Sequence, residues 1–98
     1  MSHYFLKLNP VRPTFAQDMT DAERAVMMQH VAYWGDLTKK GIVTVYGPVF
    51  DPKGAYGMGV VEVENEDELQ NLIKNDPATS INSYEYYPMR AVTPKNFV

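Results

Sequence analysis

Cysteine is absent from the 98 residues, so no disulfide framework, thiolate metal site or cysteine nucleophile is available. Basic residues are few. Nine Lys plus Arg stand against twelve Asp plus Glu, a formal charge of −3 with a pI near 5.2. They are scattered and form no stripe able to neutralise a phosphate backbone, which argues against nucleic acid as a partner. Long apolar runs are missing too. Residues 42–45 form the longest candidate, far short of the ~20 residues that cross a bilayer, so no membrane partner is expected. The opening MSHYFLKLNP lacks the basic n-region, apolar stretch and small-residue cleavage site of a signal peptide. The expected location is cytoplasmic.

What is present suits a folded domain. Hydrophobic residues make up 45% and charged ones 21%, enough apolar material to exclude intrinsic disorder. Residues 1–98 are expected to form one domain. A chain of this length buries roughly 60–70% of its unfolded surface on folding, so stability is modest unless subunits pair.

Residues 4–8 read as a first strand, followed by a proline-containing loop over 9–19. A helix starts at Thr20 or Asp21, with Glu23 in its first turn, and its apolar positions recur at helical spacing over 22–39. Val26, Tyr33 and Leu37 share one face, broadened by Met28, Ala32 and Trp34. Lys39 and Lys40 suit a helix C-terminus and Gly41 terminates it. Residues 42–46 are a second strand ended by Gly47-Pro48, and 50–56 a turn around Asp51-Pro52 and Gly54. Residues 58–64 give a third strand, with Val61 and Val63 on one face. Glu66–Lys74 is a short amphipathic helix with Leu69, Leu72 and Ile73 as its stripe, stopped by Pro77. A tyrosine-rich fourth strand spans 83–92, broken near Pro88. The order βαββαβ is the ferredoxin-like α+β plan: an antiparallel four-stranded sheet with two helices on one face. The opposite face carries large residues such as Tyr84, Tyr86, Phe5 and Met58, on one register or the other. A patch of that kind predicts sheet-to-sheet pairing into a homodimer.

Histidine is the first candidate for chemistry, because it titrates near neutrality. His3 lies at the chain start, solvated or packed on an edge strand. His30 sits mid-helix, four after Val26 and three before Tyr33, hence on the inward face. It is either a core histidine satisfied by a backbone carbonyl or by Tyr33, or a functional imidazole with one nitrogen oriented and the other free. Asp76, just past the second helix and before Pro77, is the best orienting partner. Its plain alternative is a helix-ending Asx turn. If the helices lie side by side, the two side chains can meet, and the carboxylate would fix the tautomer and raise the basicity of the ring. Asp51 is a turn former or a polar contact in a pocket, and Gly47-Pro48 a rigid turn able to shape a pocket wall.

Other constellations fail. No G-x-S-x-G elbow accompanies Ser80 or Ser83. The histidines lack H-x-x-x-H or H-E-x-x-H spacing, and the glycines at 54, 57 and 59 open no helix, so they are no phosphate cradle. Neither metal nor cofactor is expected. Methionines such as Met27, Met28 and Met58 read as gap fillers. The acidic run over 62–68 reads as a solvated strand end and helix start.

Taken together, these residues resemble the YCII-related family. The linked pattern is His30 and Leu37 in the first helix, Gly41 at its end, Gly47-Pro48, Asp51 and Gly54, then Asp76-Pro77 and a tyrosine-rich last strand through Pro88. It covers residues 4 to about 92. The resemblance implies a single YCII-like domain with a ferredoxin-like fold that dimerises through its sheets, a dimeric α+β barrel. It also implies a paired histidine and aspartate, which fall on His30 and Asp76. Some members of that family are lyases that remove chloride from chlorinated hydroxyquinols. The wider superfamily includes muconolactone isomerase-like enzymes and heme- or quinone-handling monooxygenases. This chain departs from the pattern in the bulk around the histidine (Gln29, Val31, Tyr33, Trp34) and in its long proline-containing loop over 9–19.

Two functions follow as expectations. One is a cofactor-independent enzyme on a small aromatic or enolisable molecule, of lyase or isomerase type. His30 is then general acid/base, Asp76 its orienting partner, and Tyr33, Trp34, Gly47, Pro48, Phe50 and Asp51 bind substrate. The other is a non-catalytic ligand-binding or accessory module. A redox enzyme using an external quinone or heme is a third option, and has no ligand beyond His30.

Overall fold

Strand β1 (Ser2–Asn9) places Tyr4, Leu6 and Leu8 on a buried face and His3, Phe5 and Lys7 on the other. That alternation is the period of a strand with one side on a core. A computed structural model describes residues 1–94. The last four residues of the expected domain, 95–98, lie outside the described residues. After β1 come α1 (Phe15–Asp18), α2 (Asp21–Lys39), β2 (Val43–Val49), β3 (Tyr56–Val63), α3 (Glu66–Lys74), a 3₁₀ turn over Pro77–Ser80, and β4 (Ser83–Met89). The strands pair antiparallel in the order β2-β3-β1-β4. This is the ferredoxin-like α+β fold.

Both long helices cover the same face. Trp34 and Leu37 of α2 and Leu69 and Leu72 of α3 pack on Tyr4, Leu6, Val61 and Val63 in one cluster. Local signals set the helix ends. Thr20 caps α2 in a capping box: its side chain accepts from the Glu23 N–H while the Glu23 carboxylate accepts from the Thr20 N–H. Gly41, at φ +81°, supplies the left-handed residue that ends it. Asn65 caps α3, its side chain accepting from the Glu68 N–H.

The structure departs from the sequence reading at several points. The loop over 9–19 contains a further helix, α1, which pins Phe15 into the interior. Gly47-Pro48 does not end β2, which continues to Val49. Pro48 is tolerated because β2 is an edge strand, where a missing N–H costs no ladder bond. Pro88 likewise lies within β4, the other edge, opposite Tyr4. Met28 and Ala32 point to solvent, Met28 at 70% exposure, so the buried stripe of α2 is narrower than the spacing suggested. Tyr84 and Tyr86 pair with Leu8 and Leu6 and therefore share the helix-covered face. The open face carries Phe5, Met58 and Val60 with Val45 and Tyr87, joined by His3, which lies 3.4 Å from Glu62. A bulge between Val43 and Val45 turns Val45 outward and Tyr46 inward.

Candidate active site

Pro77 opens the 3₁₀ turn, and Asp76 caps it, its Oδ1 accepting from the Ala78 N–H at 2.9 Å. The Asx turn foreseen for Asp76 therefore exists, and the same carboxylate does more. His30 and Trp34, one helical turn apart on α2, both reach it. His30 Nδ1 lies 3.0 Å from Oδ1 and 2.9 Å from Oδ2, and Trp34 Nε1 donates to Oδ2 at 2.8 Å. The Tyr84 hydroxyl, arriving from β4, donates to the same Oδ2. Asp76 is only 1% exposed, and its contacts join α2, the 3₁₀ turn and β4.

A carboxylate taken from water is expensive unless its lone pairs are filled. Burial pushes the Asp76 carboxyl up, but hydrogen bonds from His30, Tyr84, the Ala78 N–H and Trp34 outweigh it and hold the group below the usual carboxylate range. Tyr84 shifts the other way. Burial first, then its hydrogen bond to the charged Asp76, drive the phenol well above its ordinary value. Asp76 is therefore an ionised acceptor and every neighbour a donor. In a neutral His30 ring the proton therefore sits on Nδ1 and the lone pair on Nε2. Nε2 makes no hydrogen bond among the described residues.

His30 borders a cavity of about 290 Å³ between α2, the sheet and the segment over 10–19. Its walls are almost wholly apolar and include Leu8, Phe15, Met19 and Met27. Trp34 forms the floor, with its ring centroid 5.7 Å from that of Tyr46 and 6.4 Å from that of Tyr84. The indole lies directly on Gly59, where a Cβ would come within 2.4 Å of Trp34 Cζ3. No side chain fits between them. The roof, α1, is held by Arg12, which grips Glu23 of α2 through two hydrogen bonds of 2.9 Å and Asp18 through a third of 2.7 Å. The Arg12 guanidinium holds the Glu23 carboxyl down at about 2, helped by the Thr20 N–H.

Of the residues singled out from the sequence, the structure brings His30 and Asp76 together and places Trp34, Gly47 and Pro48 on the cavity wall. Tyr33, Phe50 and Asp51 are not brought there. Tyr33 turns toward α3, its hydroxyl donating to the Leu72 carbonyl at 2.6 Å. Phe50 is 81% exposed in the β2–β3 loop. Asp51 stabilises that loop, its Oδ1 accepting from the Lys53 N–H at 2.9 Å. Sequence reasoning missed Tyr84 as a partner of Asp76, and it missed Tyr46, Met19 and Asn82 as lining residues. Only the pairing of β4 with β1, which no local pattern encodes, reveals that Tyr84 faces inward. Among the described residues, no three His, Asp or Glu side chains cluster as metal ligands would, and no helix is long and apolar enough to cross a membrane.

Comparison with known proteins agrees with this architecture. No curated protein matches the chain. A solved structure of 5-chloro-2-hydroxyhydroquinone dehydrochlorinase from Burkholderia phenoliruptrix AC1100, in complex with 2,5-dihydroxybenzoquinone, is similar at 25% identity with a TM-score of 0.61. The match covers 94% of this chain and 96% of that one. SnoaB, a cofactor-independent oxygenase from Streptomyces nogalater, shares the fold at 10% identity, TM-score 0.51 and 94% coverage of both chains. An antibiotic biosynthesis monooxygenase does so at 12% identity and TM-score 0.51, over 93% of this chain and 99% of that one. The model of the YCII-related domain matches residues 4–93, and the chain belongs to that family.

Proposed function

We propose that the chain is a cofactor-independent enzyme acting on a small hydroxylated or enolisable ring compound by acid–base chemistry. His30 is the proton carrier and Asp76 the group that orients it. The observation that carries this reading is the buried Asp76 carboxylate on His30 Nδ1, beside an apolar cavity that His30 borders. A base must have one nitrogen fixed and the other within reach of substrate. Nε2 would take a proton from a substrate hydroxyl or an acidic C–H. The electron pair left behind either moves into an enol or expels a leaving group with its bonding electrons, as halide. The imidazolium, paired with Asp76, then returns the proton to the rearranged product or releases it to water. Lyase and isomerase outcomes share that first step. Closure of the apolar walls around the ring would keep water from competing.

Support also comes from the dehydrochlorinase, whose chemistry and bound quinone concern a small oxygenated ring. We further propose that the open face of the sheet, with Phe5, Val45, Val60 and Tyr87, pairs two copies into a homodimer.

The test is turnover of 5-chloro-2-hydroxyhydroquinone, followed by chloride release. His30→Gln should lose about 10²–10⁴-fold in kcat/KM, the usual share of a positioned acid/base, with an unchanged circular dichroism spectrum. A correctly folded variant that turns over within about threefold of the parent refutes the role of His30. If the parent is inactive on this compound, other chlorinated hydroxyarenes give the same comparison.

A further inference from the structure

Among the described residues, the cavity that His30 borders has no permanent cation. No described Lys or Arg lines it, and two of the nearer basic groups are engaged elsewhere. Arg12 is bound to Glu23 and Asp18, and the Lys7 ammonium sits over the Tyr56 ring at 4.6 Å. Behind His30 lies the Asp76 carboxylate, 1% exposed and in contact with the imidazole. An anionic substituent entering here would shed its hydration, meet no Lys or Arg and approach the region of the buried Asp76 carboxylate. Polar contacts are equally sparse. Tyr84 is committed to Asp76. Asn82 is committed twice, its Oδ1 accepting from the Val11 N–H at 3.1 Å and its Nδ2 donating to the Met27 sulfur at 3.4 Å. Apart from the phenols of Tyr46 and Tyr56, the remaining surface is mainly carbon and thioether, which reward an apolar body.

We propose that this cavity takes an uncharged, predominantly apolar ring compound that offers one hydroxyl or enolisable carbonyl to His30 Nε2, and that it excludes carboxylates and phosphates of the same skeleton. The assignment rests on the reading of the cavity as the active site. It narrows the substrate class to neutral hydroxyarenes and ketones and sets aside acyl phosphates, carboxylated sugars and nucleotide conjugates.

Isothermal titration calorimetry on the full chain at about pH 7.5 tests it with three probes: 4-phenylphenol, its para-carboxylate, and the methyl ester of that carboxylate. The phenol and the ester should bind with similar affinity and the carboxylate at least tenfold more weakly. Equal binding of the carboxylate overturns the proposal. So does an ester as weak as the carboxylate, since size would then be the cause, and so does failure of the neutral pair to bind. Val31→Lys, at a half-exposed cavity position on α2, should strengthen carboxylate binding several-fold relative to the phenol; no relative gain would show that charge is not the discriminator. His30→Gln separates the two readings. Its walls are intact, so it should keep the preference for neutral probes. A retained preference with undiminished turnover sinks the acid–base role alone. Lost turnover without any preference sinks the charge exclusion alone.

Discussion

At the scale of single residues, the protein concentrates its polar chemistry on one carboxylate. Asp76 accepts from a backbone N–H, an indole, a phenol and an imidazole, and no donor alone would offset its burial. Tyr84→Phe removes one of the four. A hydrogen bond to a charged group contributes about 1.5–3 kcal/mol, so the variant should unfold that much more easily in urea at neutral pH. The pH dependence carries a sign that checks the cause. Asp76 is held below its unfolded value of 3.8, so its contribution is complete above about pH 4 and is lost as pH falls through the lower folded value. The gap between parent and Tyr84→Phe should therefore close in acid. A gap that stays constant down to about pH 2 would mean that Tyr84 stabilises by packing and not through the carboxylate.

At the scale of elements, the helix and strand boundaries show what the sequence discloses and what it hides. The cap at Thr20, the stop at Gly41 and the apolar stripe of α3 are local signals, and the structure follows them. The pairing of His30 with Asp76 was legible because both residues have a chemical reason to be noticed and the fold places their elements side by side. The inward face of Tyr84 was not, because it depends on register with Leu8, 76 positions earlier. Gly47-Pro48 misled for a related reason: proline ends a central strand, yet an edge strand carries it through. The packing of α2 on the sheet depends on Gly59, whose missing side chain lets the Trp34 indole lie flat. Gly59→Ala should force that ring away at about 1–3 kcal/mol, the usual cost of overpacking, and should also lengthen the Trp34–Asp76 bond. Urea unfolding reads the first effect and near-ultraviolet circular dichroism of the single Trp the second. A variant as stable as the parent, with an unchanged Trp signal, would show that the contact is looser than the structure indicates.

At the scale of the whole molecule, two helices cover one face of the sheet and leave the other open. Val45 and Tyr87 are each 51% exposed there, beside Phe5, Met58 and Val60. A stable association needs about 1,000 Å² or more of buried surface, and this face, apolar at Phe5, Val45 and Tyr87 and charged at Lys7 and Glu62, is covered by neither long helix. Sedimentation velocity should give twice the 11.2 kDa chain mass for the parent, and Val45→Lys should shift it toward the single chain. A parent that sediments as a monomer at tens of micromolar would contradict the pairing.

The account turns on which nitrogen of His30 is free, and that can be read without knowing the substrate. Nitrogen-15 NMR of the imidazole at about pH 8, where a histidine is ordinarily neutral, distinguishes the two tautomers. The hydrogen bond to Asp76 requires the proton on Nδ1, with Nε2 showing the shift of a bare, lone-pair nitrogen. A proton found on Nε2, with Nδ1 unprotonated beside the carboxylate, would contradict the orienting role of Asp76 and with it the base assigned to His30.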